Sequence, residues 1–245
     1  MPTLEREWDR RVEKWHSHVT SAAAFGQVLD QLIDQSGPKP TDACVDLGAG
    51  TGFVTTALAP LVSSVLAVDI STSMSASLDE RAAHDGLRNV STEVSDLREF
   101  QLEPGSVDLV VSSYALHHLR DAEKRALVAR AARWLRPGGR LVVADMMFGR
   151  GGSQRDREIL RQKVIALAAK GPGGWWRIAK NLTRYGLRVG QEHPATPEFW
   201  QAALRDAGFT DVIFHPVMAE AGIVRGIRPA GALTSRFAAA TAAGR

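Results

Sequence analysis

Two adjacent imidazoles, His117 and His118, sit in Tyr114-Ala115-Leu116-His117-His118-Leu119, just after the apolar run Val107 to Ser113. Imidazole can remove a proton from a hydroxyl or an ammonium near neutral pH. A carboxylate, Asp145, closes a second apolar run, Arg140 to Ala144. Sheets of parallel strands bind ligands at the carboxyl ends of those strands, so both runs, read as strands, bring His117 and Asp145 to one rim. The backbone carries a second kind of chemistry. Gly48-Ala49-Gly50-Thr51-Gly52 joins the apolar run Ala43 to Leu47 to the helical stretch Phe53 to Ala59. Glycines there allow a tight turn and close approach to a ligand, with N–H groups at the helix start free to point at it. Taken alone, that loop is equally a sharp corner of a sheet. Asp69 separates the two readings: it ends the next apolar run, Val65 to Val68, 21 residues after Gly48. A carboxylate at that spacing accepts hydrogen bonds from ribose hydroxyls. Phe53 stands where the dinucleotide fingerprint requires glycine, which points to a nucleoside without a pyrophosphate.

These residues have to be positioned by alternating strands and helices. The strands read as Ala43 to Leu47, Val65 to Val68, Asn89 to Val94, Ser106 to Ser113 and Arg140 to Ala144. A helix with hydroxyl caps begins at Ser71-Thr72-Ser73, and an amphipathic helix runs from Asp121 to Trp134, ended by Leu135-Arg136-Pro137-Gly138-Gly139. Residues 4 to 33 space Trp8, Trp15, Val19, Phe25, Val28 and Leu32 as two helices ahead of the sheet. From Met146 to Pro194 an insertion reads as two helices, Gln154 to Lys170 and Trp175 to Arg188, split by Gly171-Pro172-Gly173-Gly174. Pro197 to Ala207 reads as a helix, Gly208 to Val217 and Glu220 to Arg228 as two strands, and the alanine-rich end as a frayed helix.

In this arrangement the chain resembles the class I S-adenosylmethionine-dependent methyltransferases. The resemblance rests on five motifs in order over roughly the first 150 residues: Val45 to Gly52, Asp69-Ile70-Ser71, Ser95-Asp96-Leu97, Val107 to Leu119 and Leu135 to Asp145. It implies an α/β, Rossmann-like, doubly wound sheet of seven mostly parallel strands with a C-terminal antiparallel strand, plus N-terminal helices and a helical lid insertion. One domain over 1–245 follows: a helical cover (1–40), a cofactor-binding core (41–148), the lid (149–194), a C-terminal helix and hairpin (195–230) and a tail (231–245). The resemblance implies that S-adenosyl-L-methionine is held by Asp46, Gly48, Ala49, Gly50 and Gly52, by Asp69, Ile70 and Met74, by Asp96 and Leu97, and by Ser112 and Ser113. Asp96 would accept from the adenine amino group and Leu97 would offer its N–H to the ring. For Met74 a place in the helix core, and for Asp96 a turn cap, stand beside those roles. The family's natural-product members imply His117 as catalytic base and Asp145 as its helper, with one histidine of the pair structural. His118 is the alternative base.

Composition narrows the function classes. A chain of 245 residues, 44% hydrophobic and 23% charged, is long enough for one sizeable core. No run approaches the ~18 apolar residues of a membrane span and residues 1–7 lack an apolar leader segment, so the expected location is cytoplasmic. Cys44 is the sole cysteine, which excludes disulfides and thiolate clusters. His16 and His18 have no acidic or cysteine neighbour, so no metal site is expected. The net charge of +3 is unevenly spread. Residues 1–149 hold 15 basic and 20 acidic side chains, whereas 150–188 hold 10 and 2. That basic segment falls where a substrate cap would lie, with Arg177, Lys180, Arg184 and Arg188 beside Trp175 and Trp176. The expected reaction is methylation of a small anionic or partly apolar molecule, at oxygen or else at nitrogen or carbon. An RNA methyltransferase using the basic lid, or a non-catalytic S-adenosylmethionine-binding protein, is the alternative. Against nucleic acid, Ser112-Ser113-Tyr114-Ala115 occupies the place of the Asn/Asp-Pro-Pro-aromatic motif of amino-directed base methyltransferases. The sequence leaves the oligomeric state open.

Overall fold

A computed structural model of the protein describes residues 23–149, 153–168, 193–218 and 220–230. Trp8, Trp15, His16, His18, the helix expected over 175–188 and the tail lie outside them. The described chain forms α1 (Ala23–Ser36), β1 (Ala43–Leu47), α2 (Phe53–Leu58), β2 (Ser64–Asp69), α3 (Thr72–His84), β3 (Val90–Val94) and β4 (Val107–Ser113). A 3₁₀ turn, Leu116–His118, leads to α4 (Asp121–Trp134) and β5 (Leu135–Met146). There follow α5 (Gln154–Ala168), α6 (Pro197–Asp206), β6 (Thr210–Met218) and β7 (Ala221–Ile227).

The strands make one seven-stranded sheet in the order β3-β2-β1-β4-β5-β7-β6. The first five are parallel, and β7 runs antiparallel to both β5 and β6. The chain winds outward from β1 to β3, then crosses to β4 on the other side of β1, so the switch point opens between the carboxyl ends of β1 and β4. Side chains alternate between two apolar layers, as period two demands. On β4, Val110 joins Trp134 and Trp200 under α4 and α6, while Leu109 and Val111 join Val28, Leu32 and Leu58 under α1 and α2. On β5, Leu141 and Val143 face the first layer and Val142 and Ala144 the second. Both faces are covered, which is why these strands read as unbroken apolar runs.

One element is longer than the sequence suggests. Leu135 pairs with Val107 directly at the end of α4, and β5 passes through Arg136-Pro137-Gly138-Gly139 with a register shift opposite Val107 and Leu109. Gly138, at φ 80°, absorbs the irregularity. Local turn signals were overridden there by pairing to β4 and β7.

Candidate functional site

At the switch point lies a cavity of about 120 Å³. Its floor is the loop after β1. Gly48 (φ 73°), Gly50 (φ 55°) and Gly52 (φ 83°) all adopt left-handed backbone, open to glycine at little cost. At Gly48 space is as restrictive as angle, since a Cβ would lie 2.2 Å from the Cβ of Ala115. The N–H groups of the loop ahead of the helix start are taken up by β2. Gly48 and Ala49 donate to the Val68 carbonyl (2.7 and 3.0 Å), and Gly50 donates to Asp69 Oδ2 (2.8 Å). These three bonds fasten the loop to the end of β2.

Asp69 therefore has two tasks. Its other oxygen accepts from Ser71 N at 2.9 Å, and Ser71 in turn caps α3 by accepting from Met74 N at 3.2 Å. The carboxylate joins loop, strand and helix while lining the cavity beside Ile70 and Met74. At the end of β3, Asp96 and Leu97 line the cavity too. Asp96 accepts from the Arg98 N–H (2.8 Å) and Nε (2.9 Å), and this guanidinium holds its carboxyl below the usual carboxylate range. Asp46 is 1% exposed and accepts from Thr55 Oγ1 at 2.7 Å. Burial pushes its pKa up to about 7, with the nearby Asp69 charge adding to the shift.

The opposite wall follows β4. Tyr114 has φ 49°, a conformation that costs a bulky residue free energy and clusters at functional sites. Its N–H donates to the Ala144 carbonyl at 2.9 Å, and its ring meets Phe25 of α1 at 5.0 Å between centroids. Burial pushes the Tyr114 hydroxyl up to about 12. Ser113, Ala115, His118 and Leu119 complete this wall.

The histidine pair divides its positions. His117 is 5% exposed and does not line the cavity. Its Nδ1 lies 2.7 Å from Asp145 Oδ1, and its backbone N–H donates to Asp145 Oδ2 at 2.8 Å. Asp145, 1% exposed, also accepts from the Met146 N–H at 2.7 Å. His118 lines the cavity, with its ring 4.0 Å from that of His117 between centroids. Of the two histidines expected near the reacting group, His117 turns inward to Asp145 and His118 lines the cavity.

Two further cofactor candidates fall behind the wall. Ser112 is fully buried and donates its hydroxyl to the Leu47 carbonyl at 2.7 Å, stitching β4 to β1. Gly52 packs under Leu78, where a Cβ would stand 2.0 Å from Cδ1. Ten of the twelve cofactor candidates line the cavity together. Sequence reasoning missed Phe25, Thr51, Phe53 and Val54 as lining residues; only their neighbourhood to the glycine loop signalled the last three.

The residues present fit the cofactor that the sequence implies: a backbone cradle closed to side chains at Gly48, with Asp69 and Asp96 at successive strand ends beside one cavity. Comparison with known proteins agrees. A methyltransferase-domain family model matches residues 44–139. An uncharacterized methyltransferase of Geobacillus thermodenitrificans is 32% identical over 165 residues, covering 67% of this chain and 70% of that one. Phosphoethanolamine N-methyltransferase 1 of Triticum aestivum is 29% identical over 61% of this chain and 33% of its own length. The solved S-adenosylmethionine-dependent methyltransferase of Aquifex aeolicus superposes with a TM-score of 0.61 at 17% identity, over 89% of this chain and 97% of that chain.

Proposed function

Because the chain belongs to the S-adenosylmethionine-dependent methyltransferases, we propose that it methylates a hydroxyl of a small, partly apolar molecule, with His118 receiving the acceptor's proton. The observation that carries this reading is the presence of His118, but not His117, in the wall of the cavity that also holds Asp69 and Asp96. The cofactor supplies an activated methyl group on a sulfonium. The protein aligns the acceptor with that methyl, where effective molarities reach ~10⁵–10⁸ M, and takes one proton. His118 accepts it at a ring nitrogen. His117 and Asp145 hold the turn that carries His118, with Asp145 accepting from the Nδ1–H and the backbone N–H of His117. Phe25, Tyr114 and Leu119 give the acceptor an apolar wall. A small acceptor is further supported by the wheat relative, whose name specifies phosphoethanolamine.

The test is S-adenosylhomocysteine release against a panel of small phenols, sugars and amines and against total RNA. Turnover with hydroxyl-bearing small molecules is expected, and His118→Ala should lower kcat by roughly 10²–10⁴ with cofactor affinity unchanged. Methylation of RNA alone, or full activity in His118→Ala, would overturn it.

A further inference from the structure

Lys124 of α4 is 0% exposed, an unusual place for an ammonium. Burial pulls its pKa down, although Asp121, Asp145 and Glu123 all oppose that shift. The salt bridge to Asp121 Oδ1 at 3.1 Å reaches a carboxylate that is 66% exposed, so it does not explain why the amine is inside. The other contacts do. Nζ donates to the backbone carbonyl of His193, the residue at which the described chain returns to the sheet, and lies 5.8 Å from the centre of the Phe199 ring in α6. His193 then passes the constraint on, because its N–H donates to the His117 carbonyl at 2.6 Å. His117 is held from its other side by Asp145, through N–H and Nδ1.

From this chain of contacts we infer that Lys124 is a positioning residue for methyl transfer: through His193 it clamps the His117 backbone against Asp145 and so fixes where His118 meets the acceptor. Lys124 touches neither cofactor nor acceptor. The inference rests on the role proposed for His118. A bulk apolar residue would fill the same space but leave the His193 carbonyl buried without a donor. The His193 link would then lose its anchor on α4, and local opening would loosen the turn without unfolding the sheet.

The experiment uses the whole chain with ¹⁵N-labelled histidine and saturating S-adenosylhomocysteine. In the native protein the proton between His117 Nδ1 and Asp145 should appear far downfield and exchange slowly with water. In Lys124→Met its exchange should accelerate roughly tenfold or more, with S-adenosylhomocysteine affinity held within about twofold, as expected for a change remote from the cofactor residues. Lys124→Arg, which restores a charged donor, should return exchange toward the native rate. His193→Pro, which removes the N–H that reaches His117 together with the imidazole and fixes the local φ, should reproduce the Lys124→Met effect and serves if that variant fails to fold. Exchange unchanged in a folded Lys124→Met or His193→Pro protein would overturn the clamp. So would an accelerated exchange that Lys124→Arg leaves fully in place. If the clamp is seen while His118→Ala keeps full turnover, the positioning of the turn stands and the role of His118 falls.

Discussion

The end of the cavity proposed for the nucleoside and the end proposed for the acceptor are made by different means. At the first, Gly48 to Gly52, Asp69 and Asp96 come from short segments at the ends of β1, β2 and β3, and each contact is local or between neighbouring strands. At the second, Phe25 comes from α1, Tyr114 and His118 from beyond β4, Asp145 from β5 and His193 from the chain's return, so its geometry is set by contacts between distant segments. A site assembled from local motifs tolerates changes elsewhere, whereas one assembled from long-range contacts depends on every element that carries it. The two ends meet in a close approach of Gly48 to Ala115.

That contact gives the largest expected effect and a direct way to break the separation. Gly48→Ala puts a side chain in left-handed backbone and drives its Cβ into Ala115, for a combined loss of about 2–5 kcal/mol in stability. It should also abolish measurable S-adenosylhomocysteine binding by calorimetry. Adding Ala115→Gly removes the clash and leaves only the backbone cost, so the double variant should recover part of the loss in chemical denaturation. A double variant no more stable than Gly48→Ala would show that the two ends are not joined there.

Asp69→Ala sharpens the same comparison with a smaller effect. Loss of a hydrogen bond to a charged group costs about 1.5–3 kcal/mol, raising the dissociation constant for S-adenosylhomocysteine roughly 10–150-fold. At saturating cofactor, kcat should stay within a few-fold of native, since the proposed acceptor wall comes from α1 and from the segment after β4. A fall in kcat as large as the rise in dissociation constant would mean that the Asp69 contacts to Gly50 and Ser71 also shape the acceptor end.

The same contrast explains what could be read from the sequence. Strand and helix order was legible because both faces of the sheet are covered and the apolar runs are unbroken, as in β4. Asp69 was legible from its spacing to Gly48. Its second task, accepting from the Gly50 and Ser71 N–H groups, was hidden because spacing does not reveal which donors a carboxylate takes. Which histidine of the pair enters the cavity was not legible. It turns on a 3₁₀ turn whose direction is fixed by Asp145, 28 residues away. Ser112 looked like a lining residue from its place at a strand end, but alternation along β4 turns it inward to Leu47. Phe25 carried no signal, since its partner Tyr114 is 89 positions along the chain and meets it only after folding. The basic segment lies largely outside the described residues.

The smallest expected effect concerns Asp46, the most buried carboxylate at the nucleoside end. In the folded protein without ligand its pKa is raised to about 7, against about 3.9 in an unfolded chain. Between those values the folded state holds a proton that the unfolded state has lost, so Asp46 contributes stability at low pH that declines as pH rises toward 7. Cofactor binding runs the other way. If the ammonium of S-adenosylhomocysteine sits beside Asp46 and Asp69, it favours the ionised carboxyl, and below pH 7 binding must first displace the proton. Affinity for S-adenosylhomocysteine should therefore rise with pH between 5.5 and 7, by up to about tenfold per unit, and level off above. Calorimetry in buffers of different ionisation enthalpy would count the proton released. Asp46→Asn should flatten the profile, while His118→Ala, at the other end of the cavity, should leave it intact. A native profile flat across this window would show that Asp46 supports the loop through Thr55 alone, and a profile altered by His118→Ala would show that the two ends titrate together.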